Sequence, residues 1–208
     1  WWPSVTASHV PLHATSIERG AVSPRPSWPK SFCPMQLTTP AIVRAHVPEL
    51  VKAVLIDSLR AGTLRLPKAM CTPVDGSYAR RLLHRDPSGQ YTVVVMTWGP
   101  GQKTALHDHA GIWCVECVVD GNMEVSQYDL VSEVDGAFRF ERRNHVVAGR
   151  GSAGCLIPPF EYHTLANVNE TPSVTLHVYG GEMDHCHVFE PAADGSFTWN
   201  IVATGAWS

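Results

Sequence analysis

Gly101-Gln-Lys-Thr-Ala-Leu-His107-Asp-His109-Ala-Gly-Ile-Trp-Cys114-Val-Glu-Cys-Val-Val-Asp-Gly121 sets two imidazoles two residues apart at the head of a β-rich segment. On a strand, side chains at i and i+2 leave the same face, so His107 and His109 can reach one metal ion. A third donor is needed to hold that ion firmly. His163, which opens a later strand-like run with Asn167 four residues on, is the candidate. Three neutral imidazoles suit a borderline divalent ion such as iron, copper, nickel or zinc. Cys114 and Glu116 share one face of the strand behind the pair, and Glu116 is the alternative fourth ligand. An isolated His-x-His is as readily two surface histidines of one strand, so the reading turns on what surrounds it.

What surrounds it is β-rich. Tyr91–Trp98 is the strongest strand by its run of β-branched and aromatic residues. Further strands are predicted at Ile112–Val119, Met123–Leu130, Phe138–Arg142, Cys155–Pro158, His163–Asn167, Val174–Tyr179 and His187–Glu190. Asp120-Gly121-Asn122 has the composition of a hairpin turn. Gly99-Pro100-Gly101 and Asp135-Gly136 mark two more turns. Short strands at intervals of roughly 8–12 residues imply a β-sandwich or barrel. Ahead of them, Thr39 to Arg60 reads as a helix. Thr38 or Thr39 can cap it, Pro40 suits its first turn and Gly62 stops it. Val43, Val47, Leu50, Val51, Val54, Leu55 and Leu59 form its apolar stripe. Residues 1–34 differ in texture: Pro-rich and Ser-rich, with Glu18 the only acid. They are expected to be a disordered or targeting tail, or a cloning remnant, with Met35 a candidate start and 35–208 the folded domain.

Composition narrows the function. The net charge of -3 argues against nucleic acid as a partner, because phosphate binding needs a basic field. No apolar run approaches the roughly 20 residues that span a bilayer, so no membrane partner is expected. Six cysteines at irregular spacing in 208 residues do not read as a disulfide framework. Reduced thiols, a cytoplasmic setting and a monomer are expected. Cys114 and Cys117 have CxxC spacing, but on a strand their sulfurs leave opposite faces, which disfavours a zinc knuckle.

The opening stretch also fits the first cupin motif: a Gly, five residues, His-x-His, four residues, a usually acidic position, six residues and a Gly. Cys114 stands at the usually acidic position. The second motif is present in reduced form as Pro158-Pro-Phe-Glu-Tyr-His163-Thr-Leu-Ala-Asn167, with Phe160 where a Gly is usual. Within the cupins the chain resembles the cysteine dioxygenase family from about Asp75 to the C-terminus. Members of the mammalian kind carry Cys at the position of Cys114. Thr175-Leu-His177-Val-Tyr179 matches their Ser-x-His-x-Tyr, and Tyr78-Ala-Arg80 matches their Tyr-x-Arg. Asp184-His-Cys186-His187-Val-Phe189 resembles the segment after the Tyr. Gly180-Gly181 departs from the Ser-Pro found there in mammalian members.

The resemblance implies an all-β fold, a cupin-type double-stranded β-barrel (jelly roll) with a small N-terminal helical region. It implies an Fe(II) cofactor on His107, His109 and His163. Loss of the acidic ligand then leaves room for an anionic substrate thiolate and for O2. Arg80 would grip the substrate carboxylate in the planar two-point contact that Lys cannot reproduce. Tyr78 would line that pocket, while Arg81 points away as a structural residue. Cys114 and Tyr179 occupy the positions of the family's thioether crosslink, and His177 would orient Tyr179. The implied reaction adds both atoms of O2 to the sulfur of free L-cysteine, giving cysteine sulfinic acid. One alternative is a dioxygenase for 3-mercaptopropionate or a related thiol acid; those relatives tend to carry Gln at the position of Arg80 and Gly at that of Cys114. A second is a cupin that binds metal without turnover. Trp98 and Trp113 are read as core or pocket wall, and His84, His145, His185 and His187 as having no metal role.

Overall fold

The computed structural model describes residues 40–204, with side chains from His46 onward. The tail at 1–34 with Cys33, the capping threonines and the side chain of Val43 lie outside the described residues. Helix α1 (Pro40–Arg60) opens the fold. It ends where Gly62 takes φ 68° and its N–H bonds the Leu59 carbonyl, a left-handed stop that glycine makes without strain. Eleven strands follow: β1 (Ala79–Arg85), β2 (Thr92–Trp98), β3 (Leu106–His107), β4 (Cys114–Asp120), β5 (Asn122–Val134), β6 (Ala137–Gly149), β7 (Ala153–Leu156), β8 (His163–Ala166), β9 (Ser173–Tyr179), β10 (His185–Pro191) and β11 (Phe197–Ala203).

The strands form two layers. One is a five-stranded sheet in the order β1-β2-β9-β4-β7; the other runs β10-β11-β6-β5-β8-β3 and closes on itself. This is the cupin-type β-barrel with a leading helix that the sequence predicts. Between the layers lies a core of Val94, Met96, Trp98 and Val118 from one sheet and Met123, Val125 and Leu165 from the other. On the outer side of the five-stranded sheet, α1 covers β4 and β7. Leu55 and Leu59 pack there on Val95, Val115, Cys117, Leu176 and Val178.

Three local readings change. The helix buries Leu55 and Leu59, with Val51 and Ile56 beside them, but Leu50 and Val54 are 64% and 63% exposed. Those two share a face about 140° round from Leu55 and Leu59, since each residue turns a helix by about 100°. Asp120-Gly121-Asn122 is not a hairpin. β4 pairs with β7 and β9, whereas β5 pairs with β6 and β8, so the chain changes layer there. Gly121 makes the change possible: its φ is 74°, and a Cβ would run into Ser173. Asp135-Gly136, by contrast, is a two-residue hairpin turn with both φ values positive, closing Val134 onto Ala137. Strands β1, β3 and β11 had no predicted counterpart.

The five described cysteines are free thiols. Cys114 and Cys117 do face opposite sides of β4, one in each core. No described helix is long and apolar enough to cross a membrane.

Candidate metal centre

His107, His109 and His163 converge. Their ligand atoms lie within 4.8 Å of one another, and their ring centroids are 5.5, 4.2 and 5.0 Å apart. They do not converge by sharing one strand face. Of the His-x-His pair only His107 sits in a strand, where it pairs directly with His163 of β8. His109 follows in a tight turn, with φ 51° at Ala110 and 79° at Gly111, and its carbonyl accepts the Ile112 N–H. Asp108 pins that turn: Oδ1 accepts the N–H groups of Ala110 (3.0 Å) and His187 (2.9 Å), and Oδ2 lies 2.7 Å from His187 Nδ1. Neither Asp108 nor His187 stands out from the sequence as a positioning group, although a carboxylate between two candidate ligands is a signal for the first.

Backbone carbonyls orient two of the rings. Nδ1 of His107 lies 3.1 Å from the Ala105 carbonyl and Nδ1 of His163 lies 2.7 Å from that of Glu161. Each ring therefore donates through Nδ1 and turns an Nε2 lone pair inward, the tautomer that metal ligation needs. His109 is fully buried, and neither of its nitrogens has a hydrogen-bond partner among the described residues. Burial, and then the neighbouring His163, pushes His107 down to about 3 and holds His109 well below the ordinary imidazole range. The unpartnered nitrogens of His109 and the inward Nε2 of His163 fit a divalent transition-metal ion.

The remaining predicted residues gather at the same place. Cys114 on β4 and Tyr179 on β9 are register partners, as are Glu116 and His177 one step along. Residues directly opposite in antiparallel strands have Cβ atoms about 4.5–5.5 Å apart. Burial drives both the Cys114 thiol and the Tyr179 phenol well above their usual values, while Arg80 opposes the rise. The Tyr179 ring stands edge-on to His109 at 5.4 Å. His177 meets Tyr179 through ring stacking at 6.1 Å. Its own nitrogens go elsewhere: Nε2 lies 2.7 Å from Thr175 Oγ1, which also accepts the Trp98 indole N–H at 2.9 Å.

Arg80 and Tyr78 line one cavity with His107, Glu116, His177 and Tyr179. Arg80 is steadied by a 2.8 Å bond from Nη1 to the Thr204 carbonyl, and Tyr78 packs on Trp98 at 4.7 Å. Arg81 leaves the other face and donates to Thr97 Oγ1 at 2.9 Å. His84, His145, His185 and His187 belong to no metal-holding group among the described residues. Gly180 accommodates the Trp113 ring, which a Cβ would strike, and its N–H bonds the Trp113 carbonyl. This is a packing role for Gly180 where the mammalian pattern has Ser.

Comparison with known proteins gives the same lineage. The family model for cysteine dioxygenase type I matches residues 38–192. Cysteine dioxygenase type 1 of Rattus norvegicus is 27% identical over 119 residues, covering 54% of this chain and 56% of the relative. That of Homo sapiens is 23% identical over 114 residues at the same coverage. The match thus spans about half the length of these curated relatives. Among solved structures, the TT1209 protein of Thermus thermophilus aligns with a TM-score of 0.45 at 16% identity, over 57% of this chain and 96% of that one. With the family model spanning three-quarters of its length, the chain belongs to the cysteine dioxygenase type I family.

Proposed function

We propose that the protein is an iron(II) thiol dioxygenase that converts free L-cysteine and O2 to cysteine sulfinic acid. The observation that carries this reading is one cavity that brings His107 of the three-imidazole cluster together with the Arg80 guanidinium and with Tyr179, the register partner of Cys114. His107, His109 and His163 hold the ion, which supplies the acidity that deprotonates a coordinating thiol and a redox centre for O2. Arg80 binds the substrate carboxylate, and its bond to Thr204 fixes the fork in place. Tyr78, packed on Trp98, closes the side of the carboxylate pocket. The Tyr179 hydroxyl stays protonated in this buried setting and can donate a hydrogen bond to substrate. His177 and Thr175 hold the strand face on which Tyr179 stands. Both oxygen atoms of O2 end on sulfur, so no external reductant is needed.

The test is oxygen uptake by iron(II)-loaded protein with cysteine, 3-mercaptopropionate or cysteamine, alongside quantitation of the sulfinate. One sulfinate per O2, fastest with cysteine, is the expected result. Preference for 3-mercaptopropionate would move the substrate to a thiol acid without an amine. Metal binding with no uptake for any thiol would make the protein a non-catalytic cupin.

A further inference from the structure

The three imidazoles are not held alike. Nδ1 of His107 and Nδ1 of His163 each meet a backbone carbonyl, at 3.1 and 2.7 Å. His109 has no such tether, for neither of its ring nitrogens has a hydrogen-bond partner among the described residues. A ring without a hydrogen bond takes its direction from the backbone that carries it. That backbone is a tight turn, left-handed at Ala110 (φ 51°) and at Gly111 (φ 79°). A left-handed alanine is strained and persists only where its surroundings hold it.

Asp108 holds the turn, and His187 of β10 holds Asp108. The Asp108 N–H donates to the His187 carbonyl at 3.1 Å. In return, Asp108 Oδ1 accepts the His187 N–H at 2.9 Å, and Oδ2 accepts from His187 Nδ1 at 2.7 Å. The same Oδ1 accepts the N–H of Ala110, the residue after His109, at 3.0 Å. One residue of β10 therefore grips Asp108 at three points, and the carboxylate passes that grip to the turn. His187 is fixed in its own right. Its ring stands edge-on to Trp199 of β11 at 4.7 Å, and its neighbour Val188 pairs with His107. The Asp108 side chain is only 10% exposed, so water competes little for the bond.

We infer that His187 is a positioning residue for the metal centre: through Asp108 it fixes the turn that aims His109. The inference rests on the three-histidine centre proposed above and gives His187 no bond to the ion. Without the imidazole, Oδ2 loses its partner and the carboxylate is free to rotate. The bond to Ala110 then loosens, and the His109 ring with it, while His107 and His163 keep their carbonyl tethers. The two backbone bonds between Asp108 and His187 remain, so the strand pairing survives.

The full chain, stripped of metal and titrated with Co(II) against a chelator, tests this. His187→Ala should bind Co(II) about 10–100-fold more weakly, the usual effect of losing a group that orients a ligand, with an altered visible spectrum. His187→Asn puts an amide N–H where Nδ1 stands and should return both affinity and spectrum to wild type. His187→Gln carries its amide one carbon further out and should bind as weakly as the alanine variant. Wild-type affinity and spectrum in folded His187→Ala and His187→Gln proteins would overturn the inference and leave the metal centre standing. Equal losses in His187→Asn and His187→Gln would also overturn it, and that comparison decides the matter should His187→Ala not fold. Wild-type protein that takes up no Co(II) would sink the metal centre and the inference together. The expected series of affinities, with no sulfinate formed from cysteine by iron-loaded wild type, would sink the proposed function and leave this inference standing.

Discussion

The two faces of β4 and β9 are equally buried and chemically opposite. Outward, Val115, Cys117, Val174, Leu176 and Val178 pack beneath α1. Inward, Cys114, Glu116, Thr175, His177 and Tyr179 are as well covered, yet almost every side chain there is polar or reactive. Alternation along a strand makes this division possible, since neighbours in sequence never share a face. The outer face has few polar atoms to satisfy and contributes stability by burying apolar surface. The inner face must find partners for its polar atoms, and an unpartnered one costs about 1–3 kcal/mol. The Trp98–Thr175–His177 chain is how part of that cost is met. One pair of strands thus separates an apolar packing face from a polar and reactive one, and substitutions on the two faces should have separable consequences.

The largest effect should come from the inner end of that comparison. His109→Ala removes the ring whose nitrogens both lack a partner among the described residues. Its metal affinity should fall by more than the roughly 10–100-fold that follows loss of a ligand's supporting partner, as read by metal content after dialysis. Thermal stability of the metal-free protein should hold or rise, because two orphaned nitrogens disappear. A variant that keeps stoichiometric metal would exclude His109 from the centre.

Arg80 and Arg81 repeat the two-face comparison on β1. Arg80→Gln should weaken cysteine binding by about 2–5 kcal/mol, the usual cost of removing one partner of a buried charged contact. Arg81→Gln, whose guanidinium bonds Thr97 on the other face, should change stability and leave cysteine binding alone. Cysteamine lacks a carboxylate and should be indifferent to both. Equal losses for cysteine and cysteamine in Arg80→Gln would mean that Arg80 does not read the carboxylate. On the outer face of β9, Leu176→Ala should cost about 2–5 kcal/mol of folding free energy through its cavity. Denaturant titration measures this, and metal affinity should stay within roughly twofold of wild type, because distant sites act independently.

Which of these residues the sequence exposes follows from how local each signal is. The strands with runs of β-branched residues, such as Thr92–Trp98, declare themselves. So do the motifs His107-Asp-His109 and Thr175-Leu-His177-Val-Tyr179, because each is a short-range spacing in the sequence. β1 (Ala-Arg-Arg-Leu-Leu-His-Arg) does not, since its face toward the cavity carries Arg80 and its alternation is broken. β3 has two residues and exists only through its partners β8 and β10. Leu50 and Val54 could be assigned to the wrong helix face because further apolar residues surround them in sequence. Pairing across strands is the deeper gap. Face parity puts Glu116 beside Cys114, but only the β4–β9 register puts it opposite His177, and only the β8 strand brings His163 within 3.2 Å.

The smallest effect expected is at Cys114, and it separates packing from chemistry most finely. Its thiol lies on the inner face directly opposite Tyr179, buried and held well above the ordinary thiol range by that burial. Such a thiol is inert as a free nucleophile, so a thioether to Tyr179 should form only when a loaded metal centre turns over with O2. Forming the C–S bond removes two hydrogens and two electrons, with O2 the acceptor. Protein purified without turnover should therefore be uncrosslinked, and incubation with iron(II), cysteine and O2 should yield chains lighter by two hydrogens. Digestion should then release one branched peptide joining the two segments. The bond would hold the phenol in place without new contacts, which helps through preorganisation alone. Cys114→Ser should accordingly lose the branched peptide, keep its metal and slow turnover by no more than about tenfold, on the order of 1.4 kcal/mol in the barrier. A Cys114→Ser protein that retains metal and oxidises no cysteine would show that the thiol takes part in the chemistry itself.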